Sequence, residues 1–200
     1  MFMLLIFVRS GLVVAVVMNI FTTPAHSQKI DPVPSVGRVE VEWPDRQIGQ
    51  QALRRLQSAT ETAFGKPLPI TEQILTDSKI PVLVPEQWPT FQNLTFSTSA
   101  DGDQYFLGGR LKDLKIAVVG SRIVSAPPVE SPSAEAFVAP SRDPFSIVKT
   151  ETGYTLGFAR HGLPYTITVE CRLPKTDKRC TDPKYIRSLA NSMLFVGGNR

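Results

Sequence analysis

Cys171 and Cys180 are the chain's two cysteines, and eight residues separate them. That spacing is too wide for a C-x-x-C redox motif, and two histidines in 200 residues are too few for a zinc module. In an exported chain such a pair forms a disulfide. Closing so short a loop contributes about 2–3 kcal/mol on the chain-entropy account. The enclosed segment is basic, with Arg172, Lys175, Lys178 and Arg179 against the single carboxylate of Asp177, and Lys184 and Arg187 follow it. Guanidinium and ammonium groups gathered on a closed loop suit a phosphate- or carboxylate-bearing partner. The wider charge distribution agrees. Residues 145–200 hold nine basic and four acidic side chains, whereas residues 28–144 hold twelve and fourteen. A split of this kind points to an anionic partner. Nucleic acid is not expected, since no aromatic residues interleave the cations.

Other chemistry-bearing patterns lead to structural readings. Arg160-His161-Gly162 resembles the RHG triplet of the histidine phosphatase superfamily, whose His accepts a phosphoryl group held by the Arg. The resemblance covers three residues, and that family requires a second catalytic His. The other histidine, His26, falls in a leader expected to be removed, so Arg160–Pro164 reads as a hairpin loop. Asp101-Gly102-Asp103 lacks the further carboxylates and closing Glu of a calcium loop and reads as a turn. No nucleophile elbow, zinc-protease helix, P-loop or dinucleotide fingerprint occurs, so neither an enzyme nor a cofactor is expected. A two-carboxylate hydrolase needs no fixed spacing, but nothing singles out a pair. Asn93-Leu94-Thr95 is a glycosylation sequon with meaning only in a glycosylating host.

The elements that must position the loop follow from periodicity and turn chemistry. Residues 1–21 are almost wholly apolar, and Ala25-His26-Ser27 has the small-x-small form of a signal peptidase site, so 1–27 is expected to be a signal peptide cleaved after Ser27. The alternative is an uncleaved anchor at 1–21. Cleavage would leave a chain about 38% apolar with one histidine, His161. Residues 28–45 then form an extended leader with a short strand near Arg38–Trp43. Asp45 caps a helix whose buried stripe is Ile48, Ala52, Leu56, Ala59 and Ala63, ended by Gly65 and Pro67. Lys79–Pro85 reads as a buried strand, and Asp101-Gly102 turns Phe91–Thr98 back onto Gln104–Gly108.

An internal repeat is expected from Phe96-Ser97 against Phe145-Ser146 and Tyr105–Gly108 against Tyr154–Gly157, offset by 49. One inserted residue then brings Arg110 onto Arg160, Val119 onto Val169 and Arg122 onto Arg172 at an offset of 50. Each copy reads as three antiparallel strands, closing with Lys115–Val119 and Tyr165–Val169. The Pro-rich stretch 124–144 reads as a mobile surface loop. Asp182-Pro183 opens a second helix with Ile186, Leu189, Ala190, Met193 and Leu194 on its buried face, then Gly197-Gly198 and a frayed tail.

Together these give an α+β fold, one domain over 46–200 with an antiparallel sandwich or partly open barrel and one helix on either side. The expected function is that of an exported, periplasmic or secreted, non-enzymatic accessory protein. It would bind an anionic envelope component or a partner protein, with Arg172, Lys175, Lys178, Arg179, Lys184 and Arg187 as the anion-binding residues. The alternatives are an interaction module working through 124–144 and a small hydrolase.

Overall fold

The computed structural model describes residues 36–125 and 143–200. The expected signal peptide, residues 28–35 of the expected leader and residues 126–142 of the Pro-rich stretch lie outside them. The described chain is a β-rich α+β fold built on one six-stranded antiparallel sheet, which stays open rather than closing into a barrel. Its strands are β3 (Gln92–Thr98), β4 (Gln104–Leu111), β5 (Leu114–Ser121), β9 (Leu163–Cys171), β8 (Gly153–Arg160) and β7 (Phe145–Lys149), in that spatial order. Two meanders, β3-β4-β5 and β7-β8-β9, therefore meet along the β5–β9 pair.

The two meanders match the expected repeat, but with a different register. The β4–β5 turn is Lys112-Asp113, between paired Leu111 and Leu114; the β8–β9 turn is His161-Gly162, between paired Arg160 and Leu163. The offset thus stays at 49 through both hairpins, and no residue is inserted. The expected Val119–Val169 equivalence fails on parity. Val119 faces solvent and Val169 is fully buried, because an offset changed by one moves a side chain to the other face. Instead the β7–β8 turn is shorter by two residues than the β3–β4 turn. Tyr105 pairs with Thr98, whereas Tyr154 pairs with Lys149. A change of two preserves the face but makes Ile147, not the expected Phe145, the equivalent of Phe96. Arg160 is likewise equivalent to Leu111, not to Arg110. His161 and Gly162 take positive φ (55° and 76°), so Arg160-His161-Gly162 is a tight reversal, narrower than the expected loop.

An aromatic belt crosses the buried face of the sheet. Phe96, Tyr105, Tyr165, Phe158 and Phe145 follow one another with centroid spacings of 5.6, 6.4, 5.5 and 6.3 Å. Gly120 lies between the two tyrosines, where a Cβ would stand 2.5 Å from the Tyr105 ring and 2.9 Å from that of Tyr165. Above the belt lies a two-stranded sheet of β2 (Val82–Pro85) and β10 (Met193–Gly197). Both tyrosine hydroxyls bond its backbone: Tyr105 donates to Leu83 O and accepts from Leu83 N, each at 3.0 Å, and Tyr165 donates to Pro81 O at 2.9 Å. Burial pushes both phenols well above their usual pKa, so they remain neutral donors.

β10 corrects the expected course of the C-terminus. The second helix, α4 (Lys184–Asn191), stops two residues before Met193, and the expected face residues Met193 and Leu194 belong to a strand instead. β2 supplies the partner that local spacing does not reveal. The tail is tied down instead of frayed. Asn199 N donates to Ser78 O at 2.7 Å, and Gly197 and Gly198 take φ of 150° and 136°, open mainly to glycine.

The first helix, α1 (Arg46–Phe64), has the expected ends, with Asp45 Oδ1 accepting from Gln47 N at 2.8 Å and Gly65 at φ 63°. Its buried face is rotated from the expected stripe. Gly49, Leu56 and Thr60 are buried, whereas Ile48 is 60% exposed and Ala59 and Ala63 face solvent. The cause is close approach, since a Cβ at Gly49 would stand 2.7 Å from the Phe195 ring. Two short helices were not expected: α2 (Glu72–Asp77), capped by Thr71, and α3 (Lys178–Thr181). The leader strand falls earlier than expected, at β1 (Val36–Arg38), pairing with β6 (Ile123–Ser125). Residues 39–42 join the same domain, through Val39 N to Arg122 O and Glu42 N to His161 O.

Candidate functional site

The Cys171–Cys180 bond is present, with a Cα separation of 6.2 Å. It links the end of β9 to α3. Asp177 shapes the second half of the loop: its Oδ1 accepts from Arg179 N at 3.0 Å and so caps α3. Behind the bond, Gly153 leaves room for Cys180, because a Cβ there would lie 2.9 Å from Sγ and 2.1 Å from Val169 O. Tyr154 closes the seat by donating to Thr181 O at 3.1 Å.

The six expected cations share this end of the chain but differ in their partners. Arg179 grips Asp177 in a two-pronged pair (Nε–Oδ1 2.9 Å, Nη2–Oδ2 2.5 Å). The contact holds the carboxyl below its usual pKa and raises the guanidinium. Arg187 makes a similar pair with Asp143 (3.0 and 2.6 Å), which lowers the Asp143 pKa, and lies over the Phe145 ring. Arg172 reaches Asp113 at 3.5 Å and Lys184 reaches Asp182 at 3.5 Å, both on the surface where such pairs are weak. Lys175 and Lys178 are exposed, with no ion-pair partner among the described residues.

The sequence split of charge is therefore partly cancelled in space. Asp113 and Asp143 belong to the acidic part of the chain, yet each neutralises an arginine of the basic part. Of the six expected cations, Lys175 and Lys178 on the disulfide-closed loop have no ion-pair partner among the described residues, and Arg172 and Lys184 are in exposed, breakable pairs. Lys112 was missed by the sequence reading. It occupies the β4–β5 turn at φ 50°, next to Asp113, whose carbonyl accepts from Arg172 N at 2.8 Å. A two-residue turn between Leu111 and Leu114 was the signal that could have placed it beside the loop.

Both thiols are bonded, and among the described residues no three His, Cys, Asp or Glu side chains gather at metal-binding range. Asp101 accepts from Ser99 Oγ and Asp103 N, while the buried carboxyl of Asp103 meets Arg38 at 2.6 Å. His161 sits in its turn with its ring edge-on to Phe195, and burial lowers its pKa. No described helix is long and apolar enough to cross a membrane. Compared with protein-family models, curated proteins and solved structures, the chain matches none.

Proposed function

We propose that this is a non-enzymatic accessory protein of a periplasmic or secreted compartment that binds an anionic envelope component through the Cys171–Cys180 loop. The observation that carries the reading is the pair Lys175 and Lys178, exposed on a loop fixed at both ends and without an ion-pair partner among the described residues. Lys112, Arg172 and Lys184 extend the cationic area. Near a negatively charged surface each such cation contributes about 1 kcal/mol, so five together give binding that salt can weaken. Export is supported by the small-x-small site after the apolar leader and by the disulfide. The internal pairing of Arg179 and Arg187 assigns them a different part, since they hold the loop and β7 in place while the lysines meet the partner.

The test is co-sedimentation of the oxidised protein with vesicles containing phosphatidylglycerol, compared with pure phosphatidylcholine, across a salt series. Binding to the anionic vesicles that falls steeply with salt supports the reading. Equal binding to both, or binding indifferent to salt, overturns it.

A further inference from the structure

A second feature of the fold is a cleft of about 1230 Å³ between α1, α2 and the β10 tail. One wall is a polar stripe on α1: Gln47, Gln50, Arg54 and Gln57 recur at steps of three, four and three and so share a helix face. Such spacing ordinarily buries apolar residues against a neighbour. Here it presents three amides and a guanidinium to an open groove about 15 Å long. Arg46 and Arg200 stand at the rim, with Arg200 Nη2 donating to Pro44 O at 3.3 Å. Among the described residues neither Arg46 nor Arg54 has an ion-pair partner, whereas the adjacent Arg55 lies outside the cleft and is held by Glu86 at 3.1 Å.

Trp43 and Phe195 also line the cleft, and the glycines of the tail make that surface possible. A Cβ at Gly198 would stand 2.8 Å from the Trp43 ring, so only glycine lets the indole lie against this strand. The opposite wall carries Glu72, at the first turn of α2.

We infer that this cleft binds an acidic oligosaccharide, one whose sugars alternate hydroxyl and amide groups with carboxylates. Three parts of the lining match parts of such a ligand, while Asp45, also in the lining, is taken up by capping α1. Amide side chains both donate and accept, as sugar hydroxyl and acetamido groups require. Guanidinium forks suit carboxylates in two-pronged pairs. The aromatic rings offer apolar surface to the C–H faces of the sugar rings. Glu72 can accept from hydroxyls but repels a ligand that is charged throughout, which disfavours polyphosphate or a run of acidic residues. The length of the stripe calls for an oligomer rather than a single sugar. This site uses none of the residues of the cationic loop, so each stands or falls independently of the other.

The test is calorimetric titration of the oxidised full chain with three probes. They are a hexasaccharide alternating glucuronate with N-acetylglucosamine, the neutral hexamer of N-acetylglucosamine, and hexaglutamate. The expected result is binding of the acidic saccharide at least tenfold tighter than either other probe. Arg54→Gln should weaken it about tenfold, while Arg55→Gln leaves it unchanged. Both are exposed helix positions, so circular dichroism and thermal melting serve as folding controls. No binding of the acidic saccharide, equal binding of hexaglutamate, or equal loss in the two arginine variants overturns the inference.

Discussion

The Tyr105 hydroxyl serves Leu83 in place of a neighbouring strand, donating to its carbonyl and accepting from its amide, both at 3.0 Å. All these groups are buried. A bond of this kind fixes the height of the β2–β10 pair above the large sheet, and with it the start of the tail. Tyr105→Phe strands both Leu83 groups without solvent, at a cost of about 1–3 kcal/mol. Tyr165→Phe strands only the Pro81 carbonyl and should cost less. Urea denaturation of the two variants checks the order; equal costs would deny Leu83 its double dependence on Tyr105.

Gly153 is the seat of the disulfide. A methyl group there meets Val169 O at 2.1 Å, a backbone atom that cannot swing away, so Gly153→Ala should destabilise by about 1–3 kcal/mol. Gly157, on the same strand, has nothing closer than 3.9 Å to its Cβ position. Gly157→Ala should therefore leave stability nearly unchanged. Thermal melts of the pair separate steric exclusion from a general effect of glycine in a strand.

Reducing the disulfide, or replacing Cys171 and Cys180 together by serine, should cost about 2–3 kcal/mol. Intact mass of the protein recovered from its host gives a companion result. The expected mass is that of residues 28–200 less two hydrogens. A mass that includes residues 1–27 would favour the retained anchor, and a mass without the loss would deny the bond.

The pH dependence follows from four shifts, one of them at Asp101, whose carboxylate is held below its usual pKa by bonds from Ser99 and Asp103. Asp177 and Asp143 ionise below the usual 3.8 because Arg179 and Arg187 bond their carboxylates. Their contribution is complete above pH 3.8 and is lost as pH falls through the lowered folded values. His161 is shifted down from 6.5 by burial, so the folded state favours the neutral ring. Its contribution is complete above pH 6.5 and declines as pH drops through the folded value. Stability should thus be flat above neutrality, dip below pH 6.5 and fall again below about pH 4. Asp177→Asn should flatten the acid limb, and His161→Asn the upper step; denaturant midpoints across pH read both.

Local chemistry made much of this legible in the sequence. Asp45 and Gly65 bounded α1, Asp101-Gly102 placed the first hairpin, and the Tyr105 and Tyr154 segments announced two related meanders. The disulfide needed only spacing and compartment. What stayed hidden depends on distant partners. Met193 and Leu194 fit a helix face as well as a strand until β2 is beside them. Ile48 belongs to the better apolar stripe, but Gly49 faces Phe195 and sets the rotation of α1. The cationic site was half legible. Its lysines were visible, but the neutralisation of Arg172 and Arg187 required Asp113 and Asp143, which lie 59 and 44 residues away along the chain.

The most direct measurement is the affinity of Lys175→Glu/Lys178→Glu for phosphatidylglycerol vesicles at low salt, beside the unaltered protein. Both positions are exposed and make no ion pair among the described residues, so the fold and its melting temperature should persist. Binding should weaken at least tenfold, about 1.4 kcal/mol or more, with a shallower salt dependence. Unchanged affinity in the folded double variant would contradict the assignment of the loop as the anion-binding site.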